Sequence, residues 1–115
     1  MDPSEFIPLP SAPFHILVAL TSGEQHGYAL MNEVQTLSGG SVRMGPGTLY
    51  GTLKRLLEQG LVEESDQRPD PELDDERRRY YRLTALGQRV CAAEADRLAS
   101  LARVARRNLR PGMAT

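Results

Sequence analysis

The chain has 115 residues, room for one domain and little more. Its one cysteine, Cys91, excludes an intrachain disulfide. The first ten residues carry Asp2, Glu5 and three prolines instead of a basic segment followed by an apolar run, and no stretch nears the roughly 18 apolar residues of a membrane span, so the expected setting is the cytoplasm, with no membrane partner.

The formal net charge is −1, yet eight of the fifteen acids fall between Glu63 and Glu76, opposed there by Arg68 alone. The rest of the chain holds thirteen basic and seven acidic residues, a balance of +6. A basic body beside one acidic loop leaves a polyanionic partner open, because distribution matters more than the sum.

Residues 1–10 read as a flexible N-terminal arm. Ser11 can cap a helix, and Pro13 is tolerated in a first turn. Phe14, Leu17, Val18 and Thr21 follow at helical spacing, and Ile16, Ala19 and Leu20 make the helix apolar on most sides, as in a central helix. A second helix is expected from about Gly27 to Ser38, with Leu30, Val34 and Leu37 on one face and Gly39 as its left-handed cap. Val42 and Met44 alternate with Arg43 and suggest a short strand. Pro46 sits where a third helix starts, and that helix runs to Gln59, with Leu49, Leu53, Leu56 and Leu57 inward and Gly60 ending it.

Leu61 to Ser65 and Arg77 to Leu83 read as two strands. The second has Tyr81 and Leu83 on one face and Tyr80 and Arg82 on the other. The segment between them is rich in Asp, Glu and Pro and reads as a loop. Thr84 then caps a long fourth helix reaching about Asn108, and residues 111–115 form a disordered tail. The fold class is mainly α with a small β-hairpin wing. A winged helix-turn-helix domain spans 11–83, and a dimerisation helix spans 84–110.

In such a plan the third helix enters the major groove. Its inward leucines bias Thr48, Thr52 and Arg55 outward, with Tyr50, Gly51 and Lys54 flanking. Hydroxyls suit phosphates, a threonine methyl suits the methyl of thymine, and Gly51 lets the backbone come close. The helix start at Gly47 offers free N–H groups to a phosphate. A solvated amphipathic helix is the plainer alternative. Arg77, Arg78, Arg79 and Arg82 lie on one strand around Tyr80 and Tyr81. A minor groove or phosphate rail can neutralise them, Asp74, Asp75 and Glu76 can do so in the free protein, and both can hold in turn. Tyr28 can donate to a phosphate or pack at a helix junction. His26 reads as a capping or surface residue, since no ligand cluster surrounds it. No Ser/His/Asp set, metal-ligand cluster or phosphate-binding glycine loop appears, so neither an enzyme nor a bound cofactor or metal is expected.

The last helix is too long for one small domain. Cys91, Ala95, Leu98, Leu101, Ala102, Ala105 and Leu109 form an apolar stripe at spacings of three and four. A second copy is its simplest partner. Helix one, with Phe14 and Leu17, is another surface it can use, within the chain or across a dimer. Cys91 reads as a small core residue or, alternatively, as a redox sensor.

Four blocks stand in order. They are His26-Gly27-Tyr28-Ala29-Leu30, Gly45-Pro46-Gly47-Thr48-Leu49-Tyr50-Gly51-Thr52-Leu53-Lys54-Arg55-Leu56, Gly60-Leu61-Val62, and Arg77-Arg78-Arg79-Tyr80-Tyr81-Arg82-Leu83-Thr84 with Gly87 following. Together they resemble the PadR family of winged-helix transcriptional regulators over about residues 12–90. The resemblance implies a repressor, dimeric through its C-terminal helix, binding an inverted-repeat operator in double-stranded DNA and released by a small aromatic or drug-like effector. The longer, acidic loop with Pro69 and Pro71 departs from the family's commonly short wing. Some members stack planar ligands between tryptophans of the last helix; this chain has no tryptophan and carries Leu98 in the corresponding region, so that stacking site is not expected. The alternative function is a winged-helix protein–protein adaptor that leaves DNA alone.

Overall fold

The computed structural model describes residues 1–65 and 79–110. The elements, in chain order, are a 3-10 turn (Pro3–Phe6), α1 (Ser11–Leu20), β1 (Gln25–His26), α2 (Gly27–Leu37), α3 (Pro46–Glu58), β2 (Val62–Glu64), β3 (Tyr80–Leu83) and α4 (Ala85–Asn108). The strands form one antiparallel sheet in the order β1-β3-β2, with His26 opposite Tyr80 and Glu63 opposite Arg82. This is the winged-helix plan with a long final helix.

The core sits where α1, α2 and α3 meet the sheet and the start of α4. Ile16, Leu17, Leu30, Val34, Leu49, Leu53, Leu56, Leu61 and Val90 are all buried there. α1 is central, as its all-round apolar surface requires. That placement corrects one expectation. Leu17 is fully enclosed in its own chain and has no surface to offer a partner, whereas Phe14 is half-buried against the same core.

Two close approaches explain two glycines. A Cβ at Gly27 would stand 2.7 Å from Cζ of Tyr50, so α2 can begin against that ring only without a side chain. A Cβ at Gly87 would stand 2.9 Å from the carbonyl carbon of Leu61, where rigid backbone cannot yield. The Thr84 hydroxyl completes this junction. It accepts from Gly87 N–H (3.0 Å), capping α4, and donates to the Gly60 carbonyl (2.6 Å).

Three local expectations change. Residues 42–44 form no strand. Val42 N–H is taken by the Ser38 hydroxyl at 2.9 Å, and Met44 is buried as a loop side chain. A strand forms instead at Gln25–His26, on the free edge of β3. The expected arm is also folded against the body. Its Pro3–Phe6 turn packs on α4, and Phe6, Ile7 and Leu9 lie half-buried on the core.

α4 holds the body only along its first half. Gly87, Val90, Cys91 and Glu94 are buried at helical spacing, whereas every residue from Ala99 to Asn108 is exposed. A 24-residue helix is about 36 Å long, and the molecule measures 65 Å along its longest axis. Its radius of gyration of 16.5 Å exceeds the roughly 13 Å of a compact chain of this length, as a projecting helix requires.

Candidate nucleic-acid interface

α3 is stiff and one-sided. Pro46 occupies its first turn, where a missing N–H loses nothing, and Gly45 precedes it in extended conformation. Leu49, Leu53 and Leu56 anchor one face. Gly47, Thr48, Gly51, Lys54, Arg55 and Glu58 are exposed on the other. The outward surface of α3 therefore carries the unpaired N–H groups of the helix start and, two turns further on, the cation pair Lys54 and Arg55.

Two of the residues expected on that surface are turned away from it. Thr52 is 2 % exposed, and its hydroxyl donates to the Thr48 carbonyl at 2.7 Å. At about 100° per residue Thr52 lies only about 40° round the helix from Leu56, on the edge of the inner stripe, so burial wins over polarity. The Tyr50 hydroxyl is buried too, and the ring edge lies against the Gly27 backbone. Its phenol therefore cannot reach a phosphate. Thr48 and Arg55 keep the outward positions expected of them, and Lys54, expected to flank that face, is exposed beside them.

Gly47 and Gly51 lie one turn apart on this face. A Cβ added to either would meet nothing within 4 Å, and neither has a positive φ. Neither packing nor backbone conformation demands a glycine there. What their lack of side chains creates is a bare strip of helix backbone between Thr48 and Lys54.

The wing stands beside α3 across a cleft of about 510 Å³, whose walls include Pro46, Lys54, Leu57, Glu64 and Arg79. Arg79 Nη1 donates to Glu64 Oε1 at 3.1 Å across the hairpin. Arg82 donates to Glu63 (2.8 Å) and Glu24 (3.2 Å), and these two carboxylates hold its guanidinium in the charged form. Both arginines thus pair with acids, though with acids of β2 and the α1–β1 turn. Arg77 and Arg78, and with them Asp74, Asp75 and Glu76, lie outside the described residues. Tyr80 is half-buried, its ring edge-on to His26 at 5.6 Å. His26 itself caps α2, with Nδ1 accepting from Ala29 N–H at 3.2 Å. Tyr28, the second residue of α2, is 48 % exposed.

Among the described residues no three His, Cys, Asp or Glu side chains come together to hold a metal, and no helix is long and apolar enough to cross a membrane. Cys91 is buried, and burial pushes its thiol up, away from the thiolate. Beyond the body, Leu98 is half-buried, and Leu101, Ala102, Ala105 and Leu109 are exposed along one stripe of α4 and its end.

The sequence signal for most of this interface was the outward face of an amphipathic helix. The contribution of Gly47 and Gly51 as a paired bare strip needed the coordinates, because only the empty space around them excludes a packing role.

Comparison with known proteins agrees with this geometry. A family model described as the Transcriptional regulator PadR-like family matches residues 16–93. The chain is 40 % identical over 89 residues to the transcriptional regulator Rv3488 of Mycobacterium tuberculosis, covering 77 % of each. It is 36 % identical over 86 residues to a 37.1 kDa protein of a Streptomyces fradiae transposon, covering 75 % of this chain but only 22 % of that protein. A PadR-family regulator of Clostridium difficile shares the fold with a TM-score of 0.68 at 21 % identity, over 86 % of this chain and 98 % of that one. The PcaV regulator of Streptomyces coelicolor, solved with its natural ligand, gives 0.68 at 23 % identity over 94 % and 68 %.

Proposed function

Since the chain belongs to the PadR-like family of transcriptional regulators, we propose that it is a cytoplasmic, homodimeric repressor that reads an inverted-repeat operator with α3 and is released by a small-molecule effector. The function is binding and needs no catalysis.

The outward face of α3 carries this reading. Gly47 and Gly51 bare the backbone, Lys54 and Arg55 supply charge for phosphates, and Thr48 supplies a short donor with a methyl group. Dimerisation is supported by the uncovered apolar residues of α4. Leu101 is 59 % exposed, Val104 43 % and Leu109 77 %, which is costly in water and natural at a two-fold interface. Two α3 helices related by that axis would enter successive major grooves about 34–36 Å apart. Release by an effector is supported by the ligand-bound PcaV relative, whose fold this chain shares.

The test is titration of duplex DNA selected from a random pool, followed at several salt concentrations, beside sedimentation of the free protein. A dimer that protects two half-sites, with affinity lost on Arg55→Ala, is the expected result. A monomer, or a dimer that ignores all duplexes at moderate salt while capturing a protein partner, overturns it in favour of the adaptor function.

A further inference from the structure

Glu94 is a carboxylate on α4 with 1 % exposure. Burying a charge demands partners, and it has them from two places far apart in the chain. Arg97, one turn on, donates to Oε1 through Nε and to Oε2 through Nη2 (3.1 Å). The Leu9 backbone N–H donates to Oε2 at 2.7 Å across 85 residues of sequence. The Arg97 guanidinium, with the Leu9 N–H adding to it, outweighs burial and holds the carboxyl below its ordinary range.

The place of this contact is what gives it consequence. Glu94 is the last buried residue of α4. Beyond it only Arg97 and Leu98 are half-buried, and from Ala99 onward the helix has left the body. The N-terminal segment therefore grips α4 at its point of departure. The segment is suited to gripping. Pro8 and Pro10 flank Leu9 and restrict its backbone, and Phe6 and Ile7 rest on the core.

We propose that residues 3–9 are a strap that fixes the angle at which α4 leaves the winged-helix body, with Glu94 as its anchor, and that this angle sets the half-site spacing the dimer accepts. The inference rests on the dimeric reading above. The lever can be measured. Fourteen residues separate Glu94 from Asn108, about 21 Å of helix at about 1.5 Å per residue. A swing of about 10° at Glu94 moves the far end by about 4 Å, close to the roughly 3.4 Å step of one base pair. A small loosening at the anchor thus blurs the register between the two α3 helices by a base pair. Glu94 touches no DNA in this scheme; it is a positioning residue.

The test uses the full chain and a series of duplexes carrying the same two half-sites, with their separation changed one base pair at a time. Wild type should prefer one separation sharply. Glu94→Ala should flatten that preference, reducing the ratio between the best and adjacent separations at least five-fold. Glu94→Gln, which still accepts from Leu9, should retain most of it. Leu9→Pro, which removes the donor and leaves the carboxylate, should behave like Glu94→Ala. A core variant of matched thermal loss, Val34→Ala, should keep the wild-type profile. Should Glu94→Ala bind no DNA, spin labels at Gln35→Cys and Asn108→Cys in a Cys91→Ala background, diluted with unlabelled chain, read the same angle. The distance distribution should broaden when Glu94 is lost. An unchanged spacing profile, or an unbroadened distance in the variant that fails to bind, overturns the strap. A wild-type chain that stays monomeric overturns the dimeric reading instead.

Discussion

Gly51→Ala separates stability from function, because its effects on the two have opposite signs. Gly51 lies inside α3, has ordinary helical φ, and has nothing within 4 Å of an added Cβ. In the free protein the substitution gains helix propensity of about 1 kcal/mol. Unfolding 115 residues releases about 0.24 kcal/mol/K at about 2.1 cal/mol/K per residue, so that gain raises Tm by about 4 °C. On the proposed reading, the same methyl stands where the bare backbone meets the groove wall of bound DNA. Overpacking of a close contact costs about 1–3 kcal/mol, a loss of about five- to 150-fold in affinity at each half-site. Thermal melting by circular dichroism and anisotropy titration of an operator duplex at fixed salt measure the two effects. A variant that melts higher and binds as tightly as wild type would show that α3 does not approach DNA along this strip, and the assignment of α3 as the reading helix would fail with it.

Gly27→Ala should do the reverse, lowering Tm by driving a Cβ into the Tyr50 ring, an overpacking of about 1–3 kcal/mol read by the same melt. Glu94 has its carboxyl depressed by Arg97 below the ordinary value of 4.5, so its contribution is complete above that pH and is lost as pH falls through the depressed value. Glu94→Gln should accordingly lower Tm near neutrality and flatten the acid side of the Tm–pH curve. Cys91, buried and with its thiol pushed up, should react with a thiol reagent at pH 7 far more slowly in the native protein than in denaturant, and a native rate matching the denatured one would refute its placement in the core.

Helices α2, α3 and α4 were legible because each combines apolar spacing of three and four with a chemical end signal; α1 was legible from its apolar run alone, since Ser11, expected as its cap, is its first residue and Pro10 precedes it with no capping side-chain bond. Gly39 and Gly40 take left-handed φ of 63° and 85° where α2 stops, Gly60 takes 76° where α3 stops, and Thr84 caps α4 as its position before the apolar run suggests. The short strand β1 was not legible, since Gln25 and His26 show no alternation. They are a strand only because β3 offers an unpaired edge. The opposite error at residues 42–44 has the same root. The alternation there is real, but the Val42 N–H finds the Ser38 hydroxyl before any strand. Within the interface, Thr52 was placed outward and Tyr50 beside it from the positions of the inward leucines, but the inner stripe is wide enough for the body to claim both. The strap was hidden because its anchor lies 85 residues from the segment it holds.

The pairing of the wing arginines bears on how strongly salt should control binding. Arg79 and Arg82 already meet Glu64, Glu63 and Glu24, so each would have to exchange a carboxylate for a phosphate, with no net release of charge repulsion to drive it. Arg43, Lys54 and Arg55 are exposed on or beside α3. If these three alone met phosphates, a dimer would neutralise about six, and log K would fall with log salt at a slope of about −5. If Arg77 and Arg78 of each wing joined them, the count would be about ten and the slope about −9. The double variant Arg77→Ala, Arg78→Ala decides between the two. Contact through the wing predicts a slope shallower by about four and weaker binding to all sequences alike. A slope unchanged in the double variant, with Lys54→Ala and Arg55→Ala each removing about two per dimer, would confine the electrostatic contact to α3 and leave the wing's arginines to their own acids.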